Sequence, residues 1–214
     1  MQDKFDIFRD FVLNDKRWKC NWYRNGNKGY YMNNGNTYAL KYVTKYLKDC
    51  NQGTVCEMLL NWEYRMTFDS SLKDVELLEI KDDHTFVVQT IIKFLLCDPR
   101  QFVFECSYVQ REYEGSNEWI VLMNDNDTEK YMNLEGHIRG KVHDHGFIVR
   151  VEDGKTVIYF VEQKDYLGYL NNATSLNYNK QQIQEVCARI KKSFENFEEW
   201  KGEHDFSPFN SLIK

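Results

Sequence analysis

A long amphipathic pattern near the end of the sequence constrains the fold more than any other feature. After Asn177, the stretch NKQQIQEVCARIKKSFENFEEW predicts a helix of about five turns, because its apolar side chains recur at steps of three and four. Asn177 or Asn179 can cap its start, and Gly202 can end it. The apolar stripe consists of Ile183, Val186, Cys187, Ile190, Phe194, Phe197 and Trp200.

Most of the preceding sequence predicts antiparallel β-structure. Short helices are expected at about 3–13 and 53–64, and two NG turns between 17 and 47 favour short strands. After residue 70, KDD and EGS separate strand-like runs, and the turn segments DHG and EDG predict antiparallel hairpins. The order of elements predicts an α+β fold in a single domain over residues 1–214, with its helices set against one sheet.

The run VIYFV, residues 157–161, is apolar at every position, although it belongs to a strand-like segment. A long sheet tends to curl, and a curled sheet closed by one long helix can leave an internal space. We therefore expect one face of this strand to pack and the other to line that space. The charged continuation EQKDYLG would then lie at the rim.

Charge and composition exclude several classes of protein. The formal charge of −5 and the pI of about 5.6 argue against nucleic-acid binding, which depends on phosphate contacts. The six cysteines form no C-x-x-C pair and are expected to be reduced thiols. The charged N-terminus has no signal-peptide core, and no apolar run reaches the roughly 18 residues of a membrane span. We expect a cytoplasmic protein.

Four stretches, taken in their order and spacing, are similar to one known family. EYRMTFDSSLKDVELLEI has Phe68–Asp69 where the family usually has Trp–Asp, and DPRQFVFECSYVQRE has Gln101 in place of an Asp. GHIRGKVHDHGFIVRV carries Arg139 before a hairpin, and TVIYFVEQKDYLGYL ends its strand with Asp, two residues and Gly. Over residues 17 to 198 or so, the chain resembles the START family of lipid-transfer domains, related to the steroidogenic acute regulatory protein.

This resemblance implies a helix-grip fold, in which a curved antiparallel sheet wraps a long C-terminal α-helix. It also implies an internal hydrophobic tunnel that holds one lipid, transient membrane contact, no catalysis and no cofactor, and we expect a monomer. The chain departs from the sterol-binding members at Thr90 and Cys106, which are uncharged where those members bury an acid and an Arg. Losing both charges together is physically coherent, because an unpaired buried charge is costly.

A hydrophobic ligand requires inward-facing apolar side chains and one or two polar groups. Each candidate could equally be plain core packing. The candidates for the tunnel lining are Phe86, Val88, Thr90, Ile92, Phe102, Phe104, Cys106, Val121, Met123, Ile190 and Phe194. Arg139 is either a clamp for a head group or a structural ion-pair partner of Glu162 or Asp165.

The polar segment 124–136 has an apolar centre at Tyr131, Met132 and Leu134. In the family this loop lies near the tunnel mouth, so it is either a lid that touches the membrane or an ordinary connection. The pair His143 and His145 suggests no metal site, because no third ligand is obvious nearby. Two alternatives to lipid transfer stay open: a helix-grip enzyme acting on a hydrophobic substrate, and an interaction module with a collapsed tunnel.

Overall fold

A computed structural model describes residues 3–24, 26–34, 37–48, 50–93, 97–125, 130–167 and 172–204. The helices are α1 (Lys4–Asn14), α2 (Gln52–Leu60), α3 (Trp62–Phe68) and α4 (Asn172–Glu203). The strands are β1 (Lys19–Arg24), β2 (Asn27–Asn34), β3 (Thr37–Lys48), β4 (Leu72–Asp82), β5 (Thr85–Ile92), β6 (Arg100–Tyr113), β7 (Ser116–Asn124), β8 (Ile138–Arg139), β9 (Lys141–Val142), β10 (His145–Glu152), β11 (Lys155–Glu162) and β12 (Lys164–Asp165).

One large antiparallel sheet dominates the molecule. Its strand order is β1-β2-β3-β11-β10-β7-β6-β5-β4, with β8 added in parallel to β6, and β12 pairs separately with β9. The sheet is open, with β1 and β4 as its edges. Together with the long helix α4, this architecture confirms the predicted α+β helix-grip fold.

The sheet has an inner face, towards α2, α3 and α4, and an outer face, partly covered by α1. Side chains alternate between the two faces along each strand. On β11, Ile158 and Phe160 belong to the main core on the inner face, whereas Val161 packs in a second cluster with Phe8 and Val12 of α1. The VIYFV run is therefore apolar on both faces because a helix covers each of them.

The hairpin predicted at EDG is present and connects β10 to β11. The strand-like runs split by KDD and EGS also form antiparallel pairs, β4 with β5 and β6 with β7. The hairpin predicted at DHG is wrong, because β9 pairs with β12 and His145 already belongs to β10. Position 146 requires glycine for another reason, the close approach of the Val121 backbone. Its φ is 153°, and a Cβ there would lie 2.0 Å from the carbonyl oxygen of Val121.

The helix boundaries differ from the predicted ones in two places. The predicted helix at 53–64 is two helices, since Asn61 ends α2 and its side chain accepts a hydrogen bond from the Tyr64 amide at the start of α3. The helix α4 begins at Asn172, so Asn177 and Asn179 lie inside it and not at its start, and Gly202 lies in its last turn. No glycine or proline occurs between 171 and 201 to stop a helix, and the weak propensity of asparagine is easily overridden.

Candidate functional site

A cavity lies between the inner face of the sheet, α3 and α4. Its volume is about 40 Å³, which is room for one or two water molecules. Its apolar lining includes Trp62, Leu72, Ile92, Phe104, Phe160 and Val186. Its polar lining includes Arg65, Asp69, Ser71, Thr90, His145, Glu162, Lys164 and Tyr166.

Aromatic side chains fill most of the interior around this cavity. The rings of Trp62 and Phe104 lie 5.5 Å apart, and Phe102 meets Tyr166 edge-on at 5.4 Å. Pockets for drug-sized ligands usually measure about 300–1,000 Å³. As described, this cavity is therefore too small for a lipid, and a lipid could enter only if the surrounding elements moved apart.

The structure places the predicted lining residues of the strands on the inner face of the sheet, as their alternation suggested. Thr90, Ile92 and Phe104 line the cavity itself. The other strand residues and the two from α4 lie in the main core, fully buried except for the partly buried Phe194: Phe86, Val88, Phe102, Cys106, Val121, Met123, Ile190 and Phe194. Contact of these residues with a ligand stays a prediction.

The sequence analysis found only part of the polar lining. It expected EQKDYLG at the rim, and Glu162 and Lys164 of this segment line the cavity, with Lys164 Nζ 3.3 Å from Glu162 Oε1. It missed Arg65, Asp69 and His145. On α3 and its C-cap, Arg65 Nε lies 3.6 Å from Asp69 Oδ2, and both side chains are almost fully buried. The i,i+4 spacing within RMTFD was the local signal for this pair.

Three buried nitrogen atoms on cavity-lining residues have no hydrogen-bond partner in the described part of the chain. They are Trp62 Nε1, Arg65 Nε and His145 Nδ1. Buried polar atoms are almost always paired, so each orphaned atom calls for an explanation. The indole and guanidinium nitrogens can only donate, so Trp62 and Arg65 offer hydrogen bonds to an acceptor.

His145 is the most strongly perturbed group in the cavity. Its side chain is buried at the start of β10, and its ring lies 6.4 Å from that of Phe104. Burial lowers the pKa of His145 well below its usual range, and the charges of Lys164 and Arg65 lower it further. The imidazole is therefore neutral at pH 7.

Arg139 lies on β8, in register with Gln101 of β6, and is not among the described residues that line the cavity. Its pKa is lowered by burial, while Asp125 acts in the opposite direction. Glu162, one of its two predicted ion-pair partners, pairs with Lys164. A head-group role for Arg139 stays a prediction without support from this placement.

The predicted lid residues lie over the outer face of the sheet. The side chain of Gln101, which points away from the inner-facing Phe102, donates to the Met132 carbonyl at 3.1 Å and accepts from the Leu134 amide at 3.1 Å. Tyr131 donates to Glu79 on β4. Met132 is 85% exposed. Residues 126–129 of the predicted loop lie outside the described residues.

Two further properties bear on the site. Among the described residues, no three His, Cys, Asp or Glu side chains are grouped so that they could hold a metal ion. Within the same part of the chain, no helix combines the length and the apolar character that crossing a membrane requires.

Comparisons with known proteins identify the fold. No protein-family profile and no curated protein sequence matches the chain. Among solved structures, human STARD10 superposes with a TM-score of 0.82 at 16% identity, covering 98% of this chain and 87% of that chain. Human StAR-related lipid transfer protein 5 gives 0.76 at 16% identity, over 90% of this chain and 93% of the other.

A bacterial structure shows the same architecture. The STAR-related lipid transfer protein from Xanthomonas axonopodis, a fragment, gives a TM-score of 0.62 at 13% identity, covering 82% of this chain and 99% of that one. The similarity thus extends over nearly the whole described chain, from the first strands to α4. The chain therefore has the START-domain fold.

Proposed function

We propose that the protein binds one lipid between α4 and the inner face of the sheet and carries it between membranes, without catalysing a reaction. The observation that carries this proposal is the set of orphaned nitrogens on Trp62, Arg65 and His145 around one cavity. The solved structures with this fold add support, since two of them are named as lipid transfer proteins.

The polar lining of the cavity is suited to a lipid head group that accepts hydrogen bonds. Trp62 and Arg65 offer N–H donors, and Lys164 adds an ammonium group. A phosphate, carboxylate or carbonyl oxygen would satisfy these donors in a site largely closed to water, where hydrogen bonds to charged groups are strong. The head group would therefore lie at the position of the present cavity.

The apolar part of the lipid needs space that opens only when α4 moves. Contacts at defined points hold α4 to the rest of the molecule. The Tyr64 hydroxyl donates to the Ser193 carbonyl, Arg189 Nη1 donates to the Phe68 carbonyl at 3.2 Å, and Lys201 pairs with Glu57 at 3.1 Å. Burying an acyl chain yields roughly 25 cal/mol per Å², and this gain would offset the loss of such contacts.

We further propose that this exchange takes place at membrane surfaces in the cytoplasm, with the protein acting as a monomer and without nucleic acid. The exposed Met132 and the partly exposed Leu134 would supply apolar contacts to a bilayer. Lys130, next to Tyr131, pairs with Glu79 at 2.8 Å, so the segment brings little free positive charge to anionic lipid.

A vesicle assay tests the proposal. Donor vesicles carry a fluorescent phospholipid and a non-transferable quencher, and acceptor vesicles carry neither. We expect catalytic amounts of protein to accelerate dequenching, and extraction of the re-isolated protein to yield about one lipid per chain. If the folded protein neither accelerates transfer nor retains phospholipid, sterol, ceramide or fatty acid, the proposal is wrong.

The small cavity favours a second candidate function, an interaction module whose interior is filled by its own side chains. Such a protein would bind a macromolecular partner through its surface and would take up no lipid. The two candidates differ in one simple respect, since only the carrier gains mass and thermal stability when incubated with lipid vesicles and then separated from them.

A further inference from the structure

The charges around His145 balance one another while its ring is neutral. Arg65 and Lys164 contribute two positive charges to the cavity wall, and Asp69 and Glu162 contribute two negative charges. Protonating His145 in the empty cavity would add one positive charge, buried and without a counter-ion. Because an uncompensated buried charge is costly, the empty cavity keeps the imidazole neutral.

A bound ligand changes this balance according to its own net charge. A head group with a net charge of −1 leaves the cavity with one excess negative charge, and a proton on His145 compensates it. A zwitterionic head group adds no net charge and creates no such demand. His145 lines this same cavity, and its Nδ1 has no hydrogen-bond partner among the described residues, so once protonated it would donate a hydrogen bond to a head-group oxygen.

We propose that an anionic lipid head group and one proton enter this cavity together, with the proton held on the ring of His145. The inference rests on the proposed lipid-binding function and adds to it a preference for anionic lipid at low pH. By linkage, anionic lipid binds more tightly as the pH falls, by up to about tenfold per pH unit, whereas zwitterionic lipid does not.

Other titratable groups near the cavity differ from His145 in position or in pairing. Tyr166 lines the cavity, and its hydroxyl donates to Glu162 Oε1 at 3.4 Å. On the connection that precedes β10, Asp144 is exposed and does not line the cavity, although partial burial of its carboxyl raises its pKa, and His143 is half-buried. Since His143 is two residues from His145 and does not line the cavity, it provides a matched control.

The experiment uses the full chain and two soluble short-chain phospholipids with identical acyl chains, phosphatidylglycerol and phosphatidylcholine. Neither phosphodiester titrates between pH 4.5 and 7.5. Calorimetric titrations in buffers of different ionisation enthalpy measure both the affinity and the number of protons taken up. We expect phosphatidylglycerol to bind with uptake of nearly one proton somewhere in this range, and phosphatidylcholine to bind with none.

Two variants identify the residue that takes up the proton. His145→Gln keeps a hydrogen-bonding group but cannot be protonated, so it should bind phosphatidylglycerol with a flat pH profile, while His143→Gln should behave as the wild type. Should His145→Gln fail to fold, ¹⁵N chemical shifts of the His145 ring in the wild-type protein report its protonation with and without phosphatidylglycerol. Binding without proton uptake, or with uptake that His145→Gln retains, overturns this inference alone. Binding of neither lipid overturns the proposed function and this inference with it.

Discussion

Arg9 on α1 donates two hydrogen bonds to the carboxylate of Glu118 on β7, from Nε to Oε2 at 2.7 Å and from Nη2 to Oε1 at 3.0 Å. The side chain of Glu118 is 0% exposed, and Arg150 Nη1 lies 3.0 Å from its Oε1. This arrangement fixes α1 against the outer face of the sheet. It therefore keeps the apolar outer side of the central strands covered.

Removing the central carboxylate should strongly destabilise the fold. Glu118→Ala leaves Arg9 partly buried without its counter-charge and leaves Arg150 with only Glu152 at 3.6 Å, so we expect the free energy of unfolding to fall by about 3–5 kcal/mol. Urea denaturation measures this change. The control is Glu195→Ala, which removes an exposed partner of Lys191 and should cost less than about 1 kcal/mol. Equal losses in the two variants would contradict the structural role of Glu118.

The buried Lys41 should make the free energy of unfolding depend on pH. Its buried ammonium donates to the Val12 carbonyl at 2.7 Å and lies 4.8 Å and 4.9 Å from the rings of Trp18 and Tyr30. Burial lowers the pKa of Lys41 from 10.5 to about 8. Between these values the unfolded chain binds more protons than the folded chain, so this group makes the protein more stable as the pH rises.

The Lys41 contribution must be separated from that of the buried thiols. Burial raises the pKa of Cys56, Cys106 and Cys187, and their contribution to stability falls as the pH rises above about 9. We therefore expect the wild type to gain stability relative to Lys41→Met between pH 8 and 10, by up to about 1.4 kcal/mol per pH unit. Chemical denaturation at several pH values checks this difference, and an offset that does not change with pH would refute it.

Arg65 should contribute to ligand affinity beyond its contribution to folding. Arg65→Met keeps the packing over Trp62 but removes the orphaned Nε donor, and we expect lipid affinity to fall at least about tenfold. Arg17→Met is the matched control, because Arg17 is an exposed arginine paired with Asp15 outside the cavity. Lipid retention by both variants, measured against their melting temperatures, distinguishes the roles. Unchanged retention in Arg65→Met would place the head group elsewhere.

Two glycines should respond to alanine in opposite directions. A Cβ at Gly140 would lie 2.2 Å from the ring of Phe102, so Gly140→Ala forces that ring to move and should cost about 1–3 kcal/mol. At Gly202, in the last turn of α4, a Cβ would meet no atom within 4 Å. Gly202→Ala should therefore raise stability by up to about 1 kcal/mol. Thermal unfolding checks that the melting temperature falls in Gly140→Ala and rises in Gly202→Ala.

Local periodicity predicted the architecture well, because each strand and helix must bury one face. Thr90 and Cys106 lie on the inner face, as the alternation along their strands suggested. Long-range relations could not be predicted in this way. The pairing of β9 with β12, which displaced the hairpin expected before His145, depends on contacts between segments far apart in the sequence. The convergence of Arg65 and Lys164 on one cavity depends on the same kind of contact.

Native mass spectrometry of the protein, purified from its own cell without denaturation, tests the lipid-carrier proposal most directly. We predict a population whose mass exceeds that of the chain by one lipid, with a head group that accepts hydrogen bonds. Only the mass of the bare chain, before and after incubation with vesicles of phospholipid, sterol, ceramide and fatty acid, would contradict the proposal.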